Sequence, residues 1–338
     1  MKKSAPLISV CIPVFETEAY LADCLRSAWE QDFSSFEIVV VCDASDGKDA
    51  EGKNARKIVK IAEKTAAKYR KENKLAPVTF KFIEHRENRG LIEVRRTLCH
   101  QASGLYLTQL DSDDELEKGA LSSLYNAAKN GDFDIVHGTS TAGLFDLNGE
   151  FIPAKENRYG IIFYGRLYDH EVFSGWLLKS QFTANTWGKL IKRDLWLRAY
   201  ENIPYTECNM ADDVLLFFFL AQIAKSYIGI EDKVYRYRIN TGMSSGRRID
   251  SIKKWRMICS AASVFTVISE WIKDNPGRLT QEEENHIRRM TAAYLSNNLL
   301  QLRETVIPPL QQEARALLCE FWGQSFVNRM EKSNNCKK

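Results

Sequence analysis

Residues 36–42 read FEIVVVC, a continuous apolar run with the length of one β-strand. Such a run is typical of a parallel strand, because helices cover both faces of a parallel sheet. Three similar runs surround it, and stretches with helical spacing of apolar residues separate them. These runs are residues 7–13, 78–84 and 105–110. Strands that alternate with helices predict an α/β fold with a mixed, mostly parallel sheet flanked by helices.

The composition is that of a globular protein. Of the 338 residues, 44% are hydrophobic and 27% are charged, which excludes a collagen-like, disordered or low-complexity chain. The 47 Lys and Arg residues against 44 Asp and Glu residues give a net charge of +3. This charge is too small to indicate a nucleic-acid binder, so we expect no nucleic-acid partner. Eight cysteines are scattered without a C-x-x-C pair, which predicts a reducing, cytoplasmic location.

No stretch of the sequence predicts a membrane span. The most apolar block, residues 214–224, has about half the length that a bilayer crossing requires. Residues 1–16 resemble a signal peptide only superficially, and we interpret them as leading into the first strand. Residues 247–256 contain five basic side chains and one Trp. A solvated helix face is the favoured interpretation, and peripheral contact with anionic lipid headgroups at the inner face of the membrane is the alternative.

Three carboxylates follow the fourth apolar run in the sequence LDSDD, residues 110–114. The side chains of Asp111, Asp113 and Asp114 repel one another unless a positive group lies nearby. Ligands of parallel sheets bind beyond the carboxyl ends of the strands, where this cluster falls. Hard cations such as Mg²⁺ and Mn²⁺ take one or two carboxylates together with substrate phosphates. The alternative is a helix N-cap, with a helix that begins near Glu115.

Polar residues also follow the second and third strands. An exposed Asp43 could accept a hydrogen bond from the imide N–H of uracil or from a ribose hydroxyl, and the alternative is an Asx-turn. After the third strand, Gly90 allows close approach of the backbone near Asn88. Arg95 could face a diphosphate, and a turn followed by a solvated helix face is the alternative.

Asp212 and Asp213 precede an apolar helix. The helix dipole stabilises carboxylates in the first turn. One of them could serve as a general base toward a sugar hydroxyl. Taken alone, the two residues are better explained as a helix cap.

From residue 7 to about residue 240, the chain resembles the family 2 glycosyltransferases of the GT-A fold, because a set of short sequence segments occurs in the same order. The resemblance implies a GT-A domain with a helical C-terminal extension. It also implies an inverting transfer of a sugar from a nucleoside diphosphate sugar, specifically a UDP-sugar, to an acceptor hydroxyl in bacterial cell-surface polysaccharide or glycoconjugate synthesis. The matching segments are residues 8–15, 20–27, 36–45, 87–95, 104–114, 187–193, 212–213 and 235–238.

The resemblance implies roles for residues at the matching positions. Asp43 would meet the base and Asp111 would face the ribose. Asp113 would ligate Mn²⁺ or Mg²⁺, and Asp213 would be the catalytic base with Asp212 beside it. The implied nucleotide-binding residues are Pro13, Val14, Phe15, Glu16, Asp43, Asn88, Gly90, Arg95, Asp111 and Ser112.

The chain departs from the family pattern at three places. Cys42 stands where relatives carry the first residue of an acidic pair, and an Asp-Asp pair at 212–213 replaces the usual Glu-Asp. Asn240 stands where many relatives have a His near the metal or diphosphate. Arg247 and Arg248 are candidates to replace that His.

We expect three parts in the chain. Residues 1–115 would form the nucleotide-sugar-binding half of the GT-A domain, residues 116–245 the acceptor-binding half, and residues 246–338 the helical extension. The expected partners are a nucleotide-sugar donor and a saccharide or lipid-linked saccharide acceptor. Residues 290–302 are apolar enough for core packing or for a homodimer contact through the C-terminal helices.

Three aromatic residues of the acceptor region could stack on sugar rings. For each of them a place in the buried core is the favoured interpretation. They are Tyr164, Trp176 and Trp187.

Three other functions stay open. Residues 47–54, GKDAEGKN, nearly match a P-loop, but Asn54 replaces the Ser or Thr that binds magnesium. A nucleotidyltransferase would need a Gly-rich basic loop after the first strand, and residues 14–16, VFE, are not one. A catalytically inactive nucleotide-sugar-binding module is the non-enzyme alternative, against which the presence of Asp113 and Asp213 argues.

Overall fold

The computed structural model describes residues 5–146, 150–155, 159–239, 241 and 248–335. Contacts between residues divide the chain into two compact units. Unit 1 comprises Met1–Glu201 and Phe217–Gly242, and unit 2 comprises Asn202–Leu216 and Met243–Lys338. The expected division into a donor half, an acceptor half and an extension assigns functions, so it stays a prediction.

Unit 1 is an α/β unit around one sheet. Its elements are β1 Ile8–Val14, α1 Glu18–Trp29, β2 Phe36–Cys42, α2 Ala55–Glu72, β3 Thr79–Glu84, α3 Leu91–Gln101, β4 Tyr106–Gln109, β5 Glu115–Leu116, α4 Ala120–Gly131, β6 Ile135–Phe145, β7 Phe151–Pro153, β8 Arg166–Tyr168, α5 His170–Leu177, β9 Lys189–Lys192, α6 Arg193–Glu201 and β10 Ser226–Arg238.

Unit 2 is helical. Helix α7, Asp212–Ile223, begins in unit 2 and ends in unit 1. The other elements are α8 Ile252–Cys259, α9 Ala261–Asp274, α10 Gln281–Glu304, a 3₁₀ turn at Pro308–Leu310, α11 Gln311–Trp322 and α12 Gln324–Asn335.

The ten-stranded sheet has its main strands in the order β3-β2-β1-β4-β9-β6-β10-β5. The neighbours β3, β2, β1 and β4 are all parallel, as are β6 and β10, while the short strands pair antiparallel. Parallel pairing joins most of the paired residues, so the predicted mixed, mostly parallel sheet is confirmed. Because Val14 lies opposite Cys42, and the Leu110 amide donates to the Cys11 carbonyl, the loops after β1, β2 and β4 leave the same edge.

The core of the parallel half follows from the apolar runs. Every residue of β1 and β2 is buried, as expected for strands covered on both faces. Alternate residues of β1, such as Ile8 and Val10, pack in one cluster with Leu21 and Leu25 of α1 and with Ile58 of α2. The continuous apolar sequence of these strands thus reflects a sheet that is buried on both faces.

Strand β10 differs from the sequence prediction. We expected separate strands at residues 227–230 and 234–238, and the structure has one strand, Ser226–Arg238. Its pairing with β6 shifts register on either side of Lys233, at an irregularity where three charged side chains are exposed. The charged break in the apolar pattern therefore marks a bulge and not a turn. The predicted hairpin at residues 143–152 is present as the antiparallel pair of β6 and β7.

Trp255 does not belong to a surface that contacts lipid. It is fully buried in unit 2, where its indole N–H donates to the Ala314 carbonyl at 2.8 Å. Arg256 is paired with Glu207 at 2.9 Å. Arg247 lies outside the described residues. The alternative in which Trp255 takes part in a lipid contact is therefore wrong, and a peripheral membrane contact by other residues stays a prediction.

Residues 290–302 contribute to packing within unit 2. Leu295 and Leu302 are buried, and Asn298 accepts a hydrogen bond from the Trp322 indole at 3.0 Å. These contacts favour the core interpretation, and a homodimer contact stays a prediction.

Within the described ranges, none of the helices combines the length and apolarity needed to cross a bilayer.

The described cysteines are free thiols, and all except Cys319 are buried. Burial raises the pKa of the Cys42 thiol to about 11 and that of the Cys99 thiol to about 12. Such thiols are poor nucleophiles at neutral pH, so they act as small apolar side chains. Cys336 lies outside the described residues.

His137 on β6 is buried, and its Nδ1 lies 3.0 Å from the Tyr227 hydroxyl. Burial, and secondarily the charge of Lys189, lower the pKa of His137 well below its usual range. In the unfolded chain this side chain would take up a proton near pH 6.5, whereas in the folded protein it stays neutral. The stability contribution is thus complete above about pH 6.5 and is lost as the pH falls.

We predict that the free energy of unfolding decreases by up to about 1.4 kcal/mol per pH unit below about pH 6.5 because of His137 alone. Urea unfolding of the wild type and of His137→Asn, from about pH 7.5 to about pH 5.5, measures this term. The substituted side chain keeps hydrogen-bonding atoms but does not titrate, so its slope should be smaller. Equal slopes in the two proteins would contradict the prediction.

Candidate active site

The acidic loop, residues 110–114, lies beyond the end of β4 at the sheet edge where β1 and β2 also end. The residues that follow it form the short strand β5, which pairs with β10. The next helix, α4, begins only at Ala120. The helix-cap alternative for Asp113 and Asp114 is therefore wrong.

Asp114 is the buried member of the acidic loop. Its Oδ2 accepts a hydrogen bond from the Tyr235 hydroxyl at 2.8 Å, and its Oδ1 accepts one from the Arg238 amide at 2.6 Å. The Tyr235 hydroxyl in turn accepts from the Asp111 amide at 3.1 Å. Burial, followed by repulsion from Asp113 and Asp111, raises the pKa of Asp114 well above its usual range. Asp114 therefore fastens the acidic loop to β10.

Asp113 is only half-buried. Its Oδ2 accepts a hydrogen bond from the Thr241 hydroxyl at 2.8 Å, and its carbonyl accepts one from Arg238 Nε at 2.8 Å. No residue of the described part of the chain hydrogen-bonds its Oδ1. The loop thus holds the Asp113 backbone and one carboxylate oxygen in place, and the role of Asp113 as a metal ligand stays a prediction.

Arg95 on α3 supplies positive charge to the acidic loop. Its side chain is buried, with Nη2 3.3 Å from Asp111 Oδ1 and Nη1 2.8 Å from the Thr186 hydroxyl. The turn that carries Thr186 is held by the buried ammonium of Lys189, which donates to the carbonyls of Thr183 and Asn185. The solvated-face alternative for Arg95 is therefore wrong, and its predicted place near a diphosphate stays a prediction.

Asp43 is buried, so the expectation of an exposed carboxylate was wrong. Its oxygens accept from the amides of Arg89 at 3.0 Å and Gly90 at 2.9 Å, and Oδ1 lies 2.6 Å from His85 Nδ1. The other ring nitrogen of His85 lies 2.9 Å from the Thr97 hydroxyl. Asp43 thus ties together the loops that follow β2 and β3, and its contact with a base stays a prediction.

The nucleotide-binding residues expected after β1 lie at the same edge. Pro13 and Val14 are buried within the strand, whereas Phe15 is half-buried and Glu16 is exposed. The Glu16 amide donates to the Ser45 hydroxyl at 2.9 Å, which joins the loops after β1 and β2. Only Phe15 and Glu16 of this segment can present side chains to a ligand.

Two further members of the predicted set support these loops. Ser112 is buried, and its hydroxyl lies 2.6 Å from that of Thr17 after β1. Asn88 Nδ2 donates to the Asp43 carbonyl at 3.4 Å. Ser112 and Asn88 therefore act on the loop backbones in this structure, and their direct contact with a nucleotide stays a prediction.

Asp212 and Asp213 occupy the first turn of α7, within unit 2. Asp212 is buried and Asp213 is half-buried. Burial raises the pKa of Cys208 and of Tyr294, and the negative charges of Asp212 and Asp213 raise both pKa values further. The structure thus places two carboxylates at the amino end of a helix, and the role of Asp213 as a base stays a prediction. Asn240 lies outside the described residues.

The near-match to a P-loop is explained by local contacts. Asn54 caps α2 by accepting from the Lys57 amide at 3.1 Å. Asp49 accepts from the amides of Lys53 at 2.7 Å and Glu51 at 3.0 Å. Because a carboxylate of the loop itself takes the amides that would cradle a phosphate, the P-loop interpretation is wrong.

Two of the three aromatic residues of the acceptor region are buried as expected. The exposed fractions are 8% for Trp176 and 7% for Trp187, but 57% for Tyr164. The expectation of a buried Tyr164 was wrong, because the segment before β8 leaves this ring at the surface.

Comparison with known proteins gives the family of the chain. Residues 9–178 match the family model described as glycosyl transferase family 2. The chain belongs to this family. This family 2 glycosyltransferase is 27% identical to the glycosyltransferase GlyA of Streptococcus pneumoniae over 243 residues, which are 70% of this chain and 31% of GlyA. It is 25% identical to GlyG of the same organism over 276 residues, 79% of this chain and 80% of GlyG.

Solved structures confirm the GT-A fold of this family 2 glycosyltransferase. The crystal structure of S. aureus TarS 1-349 in complex with UDP-GlcNAc superposes with a TM-score of 0.50 at 19% identity, covering 96% of this chain and 92% of that chain. The mannosyltransferase PcManGT from Pyrobaculum calidifontis, in complex with GDP-Man and Mn²⁺, has a TM-score of 0.50 at 15% identity, covering 99% of this chain and 89% of that chain.

The acidic loop of this family 2 glycosyltransferase suits a hard divalent cation. No group of three or more His, Cys, Asp or Glu side chains forms a metal cage within the described ranges. The candidate ligands are Asp113, which has one carboxylate oxygen not hydrogen-bonded to any described residue, and the half-buried Asp111. Mg²⁺ and Mn²⁺ are often held by one or two carboxylates while phosphates and waters complete the coordination. The residues present therefore fit such an ion.

Several residues that shape the site were not singled out from the sequence. Thr241, Thr186 and His85 belong to no recognisable motif, and they contact their partners only through the fold. Tyr235 lies in the quoted segment 235–238, but nothing local shows that its hydroxyl reaches Asp114, 121 residues away in the sequence.

We predict that the Tyr235–Asp114 hydrogen bond couples β10 to the acidic loop by about 1–3 kcal/mol, because one partner is a buried carboxyl group. A double-mutant cycle of Tyr235→Phe and Asp114→Asn, read as the free energy of unfolding, measures this coupling.

Tyr227→Phe is the matched control. It removes a buried hydroxyl from the same strand, where that hydroxyl contacts His137 and not Asp114. Its coupling to Asp114→Asn should be within about 0.5 kcal/mol of zero. Similar coupling energies for the two tyrosines would show that the cycle reports general loosening of β10.

Proposed function

We propose that this glycosyltransferase transfers a sugar from a UDP-sugar to a hydroxyl group of a saccharide or lipid-linked saccharide acceptor, with inversion at the anomeric carbon. The observation that carries the proposal is the acidic loop after β4. It presents Asp113 at the sheet edge where β1 and β2 also end, next to a buried arginine.

The loops after β1 and β2 would receive the nucleotide. They are joined by the bond between the Glu16 amide and the Ser45 hydroxyl, and Asp43 joins them to the loop after β3. Uridine is proposed as the nucleoside because TarS, which shares the fold, is described in complex with UDP-GlcNAc. The proposed role in bacterial cell-surface polysaccharide or glycoconjugate synthesis rests on the family resemblance alone.

Two positive groups, a metal ion and Arg95, would lie near the diphosphate. Asp113, with Asp111, would hold Mn²⁺ or Mg²⁺, and such an ion, when bound, neutralises the negative charge that the diphosphate gains as it leaves. Arg95 compensates Asp111 from the buried side at 3.3 Å. Arg95 therefore offsets part of the negative charge of the acidic loop, and a bound cation would offset more of it.

Asp213 would take the proton from the attacking hydroxyl. The amino end of α7 favours the ionised carboxylate, the form that accepts a proton. The hydroxyl oxygen would form a bond to the anomeric carbon on the face opposite the breaking carbon–oxygen bond, and the UDP would leave with the bonding electron pair. A single displacement of this kind converts an α-linked donor into a β-linked product.

We predict that Asp113→Ala and Asp213→Asn each lower the rate of transfer by about 10²-fold or more. Asp113→Ala should weaken UDP binding in the presence of Mn²⁺ by at least about tenfold, whereas Asp213→Asn should change it by less than about twofold. Titration calorimetry with UDP and Mn²⁺ measures the affinities, and UDP release from a panel of UDP-sugars measures turnover.

Asp232→Asn is the control, because Asp232 is an exposed carboxylate of β10 that contacts Ser123. It should match the wild type in both measurements. Equal loss of UDP affinity in the Asp113 and Asp213 variants would contradict the separate roles. Release of pyrophosphate from UTP and a sugar 1-phosphate, without release of UDP from a UDP-sugar, would indicate a nucleotidyltransferase. UDP binding without turnover of any nucleotide sugar would indicate an inactive binding module.

A further inference from the structure

Four aromatic rings of unit 1 form a stack beside the acidic loop. From the inner to the outer end they are Tyr235, Trp187, Tyr237 and Tyr159. Consecutive ring centroids are 4.9, 5.4 and 4.7 Å apart, with interplanar angles of 19°, 27° and 27°. The inner ring carries the hydroxyl that donates to Asp114. The outer ring, Tyr159, is 45% exposed.

The stack lies on the opposite side of the acidic loop from the loops proposed to bind the nucleotide. In the sheet, β1 and β2 are on one side of β4, whereas β9 and β10 are on the other. Two of the rings belong to β10. Trp187 precedes β9 and forms a backbone β-bridge with Gln109 at the end of β4. A donor that extends from β2 to Asp113 would therefore leave the side with the stack open for a second substrate.

The backbone holds Tyr159 in this position. Its carbonyl accepts a hydrogen bond from the Ser140 hydroxyl at 3.2 Å. Gly160 follows with a φ of +70°, and a Cβ there would lie 2.7 Å from Ser140 Oγ and 3.1 Å from the Trp187 ring. A glycine is therefore needed for the chain to pass this close to Trp187. The backbone at Gly160 thereby places the preceding Tyr159 ring against the Tyr237 ring.

Two of the five residues that follow Tyr159 also expose apolar side chains. Ile161 is 55% exposed and Tyr164 is 57% exposed, on the segment that leads to β8. Isolated exposed apolar side chains are common, whereas larger apolar surfaces often bind a ligand, so three exposed apolar residues within six support a search for a ligand here.

We propose that Tyr159 binds a pyranose ring of the acceptor saccharide by stacking against the face of the sugar that carries C–H groups. This inference rests on the proposed function. A pyranose has an apolar face and a rim of hydroxyl groups, and an exposed tyrosine ring is flat, apolar on its face and polar at its tip. Stacking would bury the apolar face while the hydroxyl rim stays available, which leaves one hydroxyl free to attack the donor.

The alternatives are a nucleobase and a purely structural ring. Aromatic side chains also stack on bases, but Asp43 and the loops after β1 and β2 lie across the acidic loop from Tyr159. A ring that only covered Tyr237 would be replaceable by any apolar side chain of similar size. These alternatives predict different results when Tyr159 is substituted.

The test uses the full chain and three probes, namely the methyl β-glycosides of glucose, galactose and N-acetylglucosamine. Saturation-transfer NMR measures their binding, with sorbitol, which has no ring, as the negative probe. We expect at least one glycoside to bind the wild type, with the strongest signals on ring C–H protons. Tyr159→Ala should weaken its binding by at least about fivefold, whereas Tyr159→Phe and Tyr159→Trp should retain it.

Tyr159→Leu keeps the apolar volume without a flat ring, so it should lose binding as Tyr159→Ala does. It also provides the test if the alanine variant fails to fold. Tyr168→Ala is the matched control, since Tyr168 on β8 is 48% exposed and lies outside the stack. UDP affinity with Mn²⁺ should change by less than about twofold in every Tyr159 variant.

Each contrary result has a distinct meaning. The proposal is wrong if no glycoside binds the wild type, if Tyr159→Leu binds as well as the wild type, or if the Tyr159 variants lose UDP and retain the glycoside. Failure of the wild type to bind UDP or to release it from any nucleotide sugar would instead refute the proposed donor chemistry, whatever the glycoside result.

Discussion

Repulsion among three carboxylates in four residues is the constraint on which the site depends. The fold meets it with a different partner for each side chain: the Tyr235 hydroxyl and the Arg238 amide for Asp114, Arg95 for Asp111, and Thr241 for Asp113. Arg95 is a charged partner of Asp111, and the Arg238 guanidinium also reaches the loop at the Asp113 carbonyl. Burial and this repulsion together raise the pKa of Asp114. The protein thus holds an acidic loop in a fixed shape at the edge of the sheet.

Strand β10 connects this loop to the rest of unit 1. Its pairing with both β6 and β5 places Tyr235 and Arg238 beside Asp114, which precedes them by more than a hundred positions. The Arg238 guanidinium also lies 3.8 Å from the centroid of the Phe145 ring. One strand therefore supplies the hydroxyl that orders the acidic loop, the arginine that holds the Asp113 carbonyl, and two rings of the aromatic stack.

Local patterns predicted those parts of the structure that local chemistry determines. Strand β2 coincides with the apolar run at residues 36–42, since a strand covered on both faces needs continuous apolar residues. The acidic loop was placed correctly for the same reason, because it follows such a strand directly. One prediction was wrong where the outcome depends on distant partners. Asp43 is buried because the amides of Arg89 and Gly90 reach it, and no pattern around residue 43 contains that information.

The two sides of the acidic loop also differ in how they are built, which bears on where specificity can change. On the side of β1 and β2, the loops are joined by bonds among backbone amides, Asp43 and Ser45, so a substitution there disturbs several loops at once. On the other side, Tyr159 adds a ring to the outer end of the stack and is held through its carbonyl and the glycine that follows. A different side chain at position 159 would leave the bond between Tyr235 and Asp114 intact. If the proposed function is correct, this construction lets the choice of acceptor change while the chemistry of donor binding stays the same.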